Sequence, residues 1–122
     1  MTQQHDPAAM LAKDVYVIVT RQVDPTTPIA REMMQAHLAR QVELEKAGIM
    51  FAAGPMFADG AQTPEAGMIV VRAASFAEAD AIAAADPLHK AGLRAYTLRR
   101  WRINEGSYTV TVNYSDQTMR IE

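Results

Sequence analysis

Two strand-like runs in this chain are apolar on both faces, and this narrows the choice of fold more than any other feature. In Val15-Tyr16-Val17-Ile18-Val19-Thr20 the three valines face one way, and Tyr16 and Ile18 face the other. In Met68-Ile69-Val70-Val71, Met68 and Val70 oppose Ile69 and Val71. Helices on one side of a sheet cover only one such face. The other needs its own cover, because apolar patches of that size are uncommon on monomers. A second copy packed sheet against sheet is the most economical cover, which predicts a two-fold homodimer.

The punctuation between the runs sets their order. After the first strand, Asp24-Pro25-Thr26-Thr27-Pro28 reads as a loop leading into a helix. Thr27 is expected as N-cap and Pro28 as first helical residue, with the helix running to about Ala47 and stopping at Gly48. Met50 to Met56 reads as a second strand ending at Gly54-Pro55, and 58–66 reads as a loop. The third strand is Gly67 to Ala73. Ser75-Phe76-Ala77-Glu78 is a capping box opening an alanine-rich helix to about Ala85. Pro87 disfavours helical geometry at Asp86 and ends that helix. Arg94 to Ile103 reads as the fourth strand.

The order β-α-β-β-α-β predicts an α+β, ferredoxin-like fold: an antiparallel four-stranded sheet with both helices on one face. Residues 1–13 read as an N-terminal tail, 14–103 as the domain, and 104–122 as a C-terminal β-hairpin extension of that domain. In the hairpin, Tyr108, Val110, Val112 and Tyr114 alternate with polar residues, and a simple extension of the sheet is the expected arrangement.

With 122 residues the chain is expected to form one domain. It has no cysteine, which excludes disulfides, thiolate nucleophiles and thiolate metal sites. The net charge of −2 argues against general affinity for nucleic acid or an anionic membrane. No secretory signal and no apolar run long enough to cross a bilayer is visible, so a cytoplasmic protein is expected. There is no phosphate-cradling glycine loop, no GxSxG and no dinucleotide fingerprint.

Two positions stand out chemically. On a helical wheel His37 falls near the centre of the apolar arc of the first helix, with Gln41 one turn on. A polar ring there must find partners. One reading is a core histidine bonded to backbone. Asp86 before Pro87 can likewise be a turn carboxylate bonding nearby amides. The pair is more specific than either member. A carboxylate on one ring nitrogen fixes the tautomer and raises the basicity of the other, which suits general acid/base work near neutrality.

His89 lies three residues beyond Asp86, where it could border a pocket or be a solvated side chain. His37, Asp86 and His89 lack compact metal-ligand spacing, so no metal is expected. Arg94, Arg99, Arg100 and Arg102 around Trp101 alternate between strand faces, and solvated positions and ion pairs are expected of them.

The string His37-Leu38-Ala39-Arg40, then Ala53-Gly54-Pro55-Met56, Ser75 with Glu78-Ala79, Ala85-Asp86-Pro87 and Ala91-Gly92 resembles the YCII-related proteins from about Val15 to Trp101. The resemblance implies a dimeric ferredoxin-like α/β-barrel and a pocket holding a His–Asp pair, which maps onto His37 and Asp86. Ser75 is similar to a recurrent family serine. Where family members often carry an arginine three residues before the histidine, this chain has Met34, with Arg31 one turn away as a candidate replacement. One branch of the family includes a dehydrochlorinase acting on a chlorinated hydroxyquinone, and the wider superfamily includes muconolactone isomerase.

The expectation is a cofactor-independent small-molecule enzyme of lyase, isomerase or dehydrochlorinase type. His37 and Asp86 would be catalytic, with Arg31, Gly54, Pro55, Ser75 and His89 around the substrate. Two alternatives stay open: a non-catalytic dimer that binds a small metabolite, and a structural dimerisation module in which His37 and Asp86 are simply a buried bonded pair.

Overall fold

The computed structural model describes residues 3–121. The expected tail 1–13 and hairpin 104–122 include residues 1, 2 and 122, which lie outside that range. The chain divides into two compact units, one of residues Asp14–Trp101, the other of 3–13 with 102–121.

The first unit is built from most of β1 (Lys13–Gln22), α1 (Arg31–Lys46), β2 (Met50–Met56), β3 (Ala66–Val71), α2 (Phe76–Ala84), α3 (Pro87–Lys90) and most of β4 (Arg94–Ile103). The strand order β2-β3-β1-β4 is that of a ferredoxin-like sheet, and β3 pairs antiparallel with both β1 and β2. Val17 stands opposite Val70 and Ile18 opposite Ile69, so each face of one strand continues onto its neighbour. Tyr16, Ile18, Ile69, Val71 and Leu98 form the core beneath Ala79 and Ala83 of α2. Those two alanines sit one helical turn apart and are almost wholly buried; their small side chains let the helix approach the sheet closely. On the opposite face Val15 and Val70 are buried, whereas Val17, Val19 and Met68 are half-buried.

The first helix begins later than the sequence predicts. Thr27 does not cap it. Its hydroxyl donates to the Asp24 carboxylate, as does that of Thr26, and the segment is taken up by this turn. α1 starts at Arg31 after Ala30, with no side-chain cap. α2 is capped as expected: the Ser75 hydroxyl accepts from the Glu78 amide, and the Glu78 carboxylate accepts from the Ala74 amide. Asp86 ends that helix region and, beyond what the sequence predicts, caps a further short helix, α3, with Pro87 at its first position.

In the second unit, a 3-10 turn spans Pro7–Ala9, and β5 (Val110–Asn113) pairs antiparallel with β6 (Thr118–Ile121). These two strands form their own two-stranded sheet. The sheet extension expected for this segment is therefore corrected: Val110 pairs with Ile121 and Val112 with Met119, while Tyr108 and Tyr114 lie outside the ladder.

Candidate active site

Met34, His37, Leu38, Gln41, Val42 and Glu45 recur on α1 at spacings of three and four, so they share one face. That face does not close onto the sheet. It borders a cavity of about 480 Å³, within the range of small-molecule sites. Leu38 and Val42 each remain 46% exposed because they look into this open volume. Across it lie the ends of the strands: Gly54 and Pro55 of β2, Gly67 and Ile69 of β3, Thr20 of β1 and Arg94 of β4.

Asp86 is 3% exposed. Its Oδ1 accepts from the Leu88 amide at 2.9 Å, the N-cap bond of α3. Its Oδ2 is 2.7 Å from His37 Nδ1 and also accepts from Gln41 Nε2 at 3.1 Å. His37 and Gln41 are four residues apart on α1, so one helix turn delivers both donors to one oxygen. Burial pushes the Asp86 carboxyl up. The His37 hydrogen bond, the Leu88 amide and, when those rings are protonated, the charges of His37 and His89 outweigh it, and the group lies below the usual carboxylate range. It is therefore ionised at neutral pH, and an ionised carboxylate can only accept. His37 must carry its proton on Nδ1, which leaves the Nε2 lone pair of the neutral ring unused. No described residue bonds Nε2, and the His37 side chain is 17% exposed.

Sequence reasoning thus brings together His37, Asp86, Gly54 and Pro55. Ser75, Arg31 and His89 are placed otherwise. Ser75 is exposed and occupied as the cap of α2, and Arg31 is exposed at the first turn of α1; neither borders the cavity. His89 is half-buried and does not border the cavity. Its Nδ1 is 2.7 Å from the Ala83 carbonyl, its Nε2 is 2.7 Å from Thr20 Oγ1, and its ring lies 4.7 Å from that of Tyr96.

Two site residues escaped the sequence reading. Arg94 borders the cavity, donating from Nε to Thr20 Oγ1 and from Nη2 to the Thr20 carbonyl, each at 3.1 Å. Thr20 is 3% exposed. The available signal was period two. Arg94 shares a strand face with Tyr96 and the core residue Leu98, and Thr20 shares one with Tyr16 and Ile18.

Among the described residues no group of three or more His, Asp or Glu side chains is placed to hold a metal ion, and no helix is long and apolar enough to cross a membrane.

A search of functionally curated proteins returned no match. Among solved structures, the chain is similar to the 5-chloro-2-hydroxyhydroquinone dehydrochlorinase of Burkholderia phenoliruptrix AC1100 in complex with 2,5-dihydroxybenzoquinone. The match has a TM-score of 0.57 and 25% identity, covering 70% of this chain and 92% of that one. The YCII-related domain matches residues 15–102, the whole of the sheet and its helices apart from the strand ends. This chain belongs to the YCII-related family.

Proposed function

We propose that this protein is a cofactor-independent small-molecule enzyme of lyase or isomerase type, with His37 as general acid/base and Asp86 as its orienting partner. The observation that carries this reading is the asymmetry of the His37 ring. One nitrogen is locked onto a buried carboxylate, and the other, at the edge of a ligand-sized cavity, has no partner among the described residues. The family and the dehydrochlorinase neighbour support an enzyme acting on a small molecule.

In the reaction, Nε2 takes a proton from a carbon of the substrate. If the adjacent carbon bears a leaving group, the C–H electron pair forms the new double bond and the leaving group departs with its own pair. Otherwise the imidazolium returns the proton at another carbon and the double bond shifts. The Asp86 carboxylate stabilises the imidazolium in either case. The reading includes a homodimer joined through the sheet face bearing Val17, Val19 and Met68, whose partial exposure supports it.

The test is to follow chloride release from 5-chloro-2-hydroxyhydroquinone and double-bond migration in unsaturated lactones. Wild type is expected to turn over at least one of them. His37→Gln, whose amide can still donate to Asp86, is expected to lose about 100-fold or more in kcat. Full activity in that variant would overturn the assignment. Binding without any turnover would leave the non-catalytic dimer as the better account.

A further inference from the structure

The cavity holds a cation for which the acid/base pair has no use. Arg94 is half-buried on the core-facing side of β4. Its Nε and Nη2 are committed to Thr20, and among the described residues no carboxylate lies within ion-pair distance of it. Burial lowers its pKa, and the charge of Asp86 partly restores it. A guanidinium stays charged at neutral pH regardless. A half-buried cation held by neutral groups, with no partner for Nη1 among the described residues, is an unusual thing to find in a cavity walled largely by apolar side chains.

The surroundings hold this cation in position without neutralising it. The Ala83 carbonyl can only accept, so His89 carries a proton on Nδ1. Arg94 Nε can only donate, so the Thr20 hydroxyl accepts from it; when the His89 ring carries only its Nδ1 proton, that hydroxyl in turn donates to Nε2. The three side chains form one directed chain of donors from β4 through β1 to α3. Space for it is made at Gly67. A Cβ there would stand 3.0 Å from Thr20 Cγ2 and 3.8 Å from Arg94 Nη2.

We propose that Arg94 is the anion-binding residue of this pocket, positioned by Thr20 and His89, and that the substrate is a small, mostly apolar molecule bearing an ionised oxygen: a carboxylate, an enolate or a phenolate. The assignment rests on the pocket being the working site, as proposed above. It places the substrate's negative charge at the β1–β4 end, on a donor suited to paired oxygen contacts. The reacting carbon is then left for His37 on the α1 side.

The probe is 2,5-dihydroxybenzoquinone, ionised at neutral pH, against its neutral dimethyl ether, both titrated calorimetrically at low salt. Wild type is expected to bind the ionised form at least about tenfold more tightly than the ether. Arg94→Met is expected to erase the preference while binding the ether as before. Thr20→Val keeps the shape but removes the hydroxyl, and is expected to reduce the preference several-fold; it serves also if Arg94→Met does not fold. His37→Gln is expected to keep the preference.

Equal or absent binding of the two compounds by wild type overturns the proposal, as does a preference that survives in Arg94→Met. The two proposals fail separately. Discrimination without turnover retains the anion seat and removes the enzyme, whereas turnover without discrimination does the reverse.

Discussion

Two histidines lie near Asp86 on different elements, and their ring nitrogens are used in opposite ways. His89, on α3, has both nitrogens engaged, one by the Ala83 carbonyl and one by the Thr20 hydroxyl. His37, on α1, has only Nδ1 engaged, by a carboxylate. A ring bonded at both nitrogens is a strut: moving a proton on or off it breaks a structural bond. A ring bonded at one nitrogen by an anion can gain a proton at the other without losing anything. Proximity to Asp86 in sequence favours His89, three residues away, yet the ring that bonds the carboxylate lies forty-nine residues off on another helix.

The severest way to break this contrast is to remove the carboxylate. Asp86→Ala orphans the His37, Gln41 and Leu88 donors together, and a loss of about 3 kcal/mol is expected in urea unfolding. The pH dependence carries the same information. Because the folded-state pKa of Asp86 is depressed, its contribution to stability is fully present above the unfolded value of about 3.9 and is lost as pH falls through the lower folded value. Wild type is expected to lose stability on acidification below about pH 4 more steeply than Asp86→Ala. Parallel acid limbs would mean that the carboxylate is not held as described.

A smaller effect separates the two rings directly. His89→Gln is expected to lower stability by about 1–2 kcal/mol while keeping the pH–rate profile of the base. In His37→Gln the order is reversed, with stability within about 1 kcal/mol of wild type and the profile gone. If the His89 variant loses the profile instead, the roles of strut and base are exchanged.

The mildest test concerns Ser75, which was expected near the substrate and is found capping α2. Ser75→Ala is expected to cost about 1 kcal/mol in thermal unfolding and to leave ligand affinity unchanged. A drop in affinity without a stability loss would return that serine to the pocket.

The architecture was legible because each element carries its own punctuation. Gly48 after α1, the box from Ser75 to Glu78, and Pro87 after Asp86 are local signals, and the bounds of β2 and β4 follow from them. Where two local signals competed, the sequence was ambiguous. Thr27 carries a capping signal, but its bond and that of Thr26 to Asp24 take the segment into a turn, and α1 begins only at Arg31.

The His37–Asp86 pair was readable because an imidazole centred on an apolar helix face demands a partner. Arg94 was not, although the needed fact was in view. Period two sets Arg99 apart from Arg94, Arg100 and Arg102, and the same parity sends Arg94 inward beside Tyr96 and Leu98. The composition of a strand says which residues could be solvated; only its register says which are not. Gly67 carries no sequence signal at all, since its requirement is the close approach of Thr20 from another strand.

The double use of Asp86 ties the proposed chemistry to the shortest α-helix among the described residues. α3 has four residues, and the carboxylate that begins it also bonds the His37 imidazole. When this turn frays, the imidazole loses its anchor while the sheet beneath remains paired. Heat should therefore switch off the proposed reaction at a temperature where circular dichroism still reports a folded protein, and the gap between the two would measure how firmly one helical turn is wound.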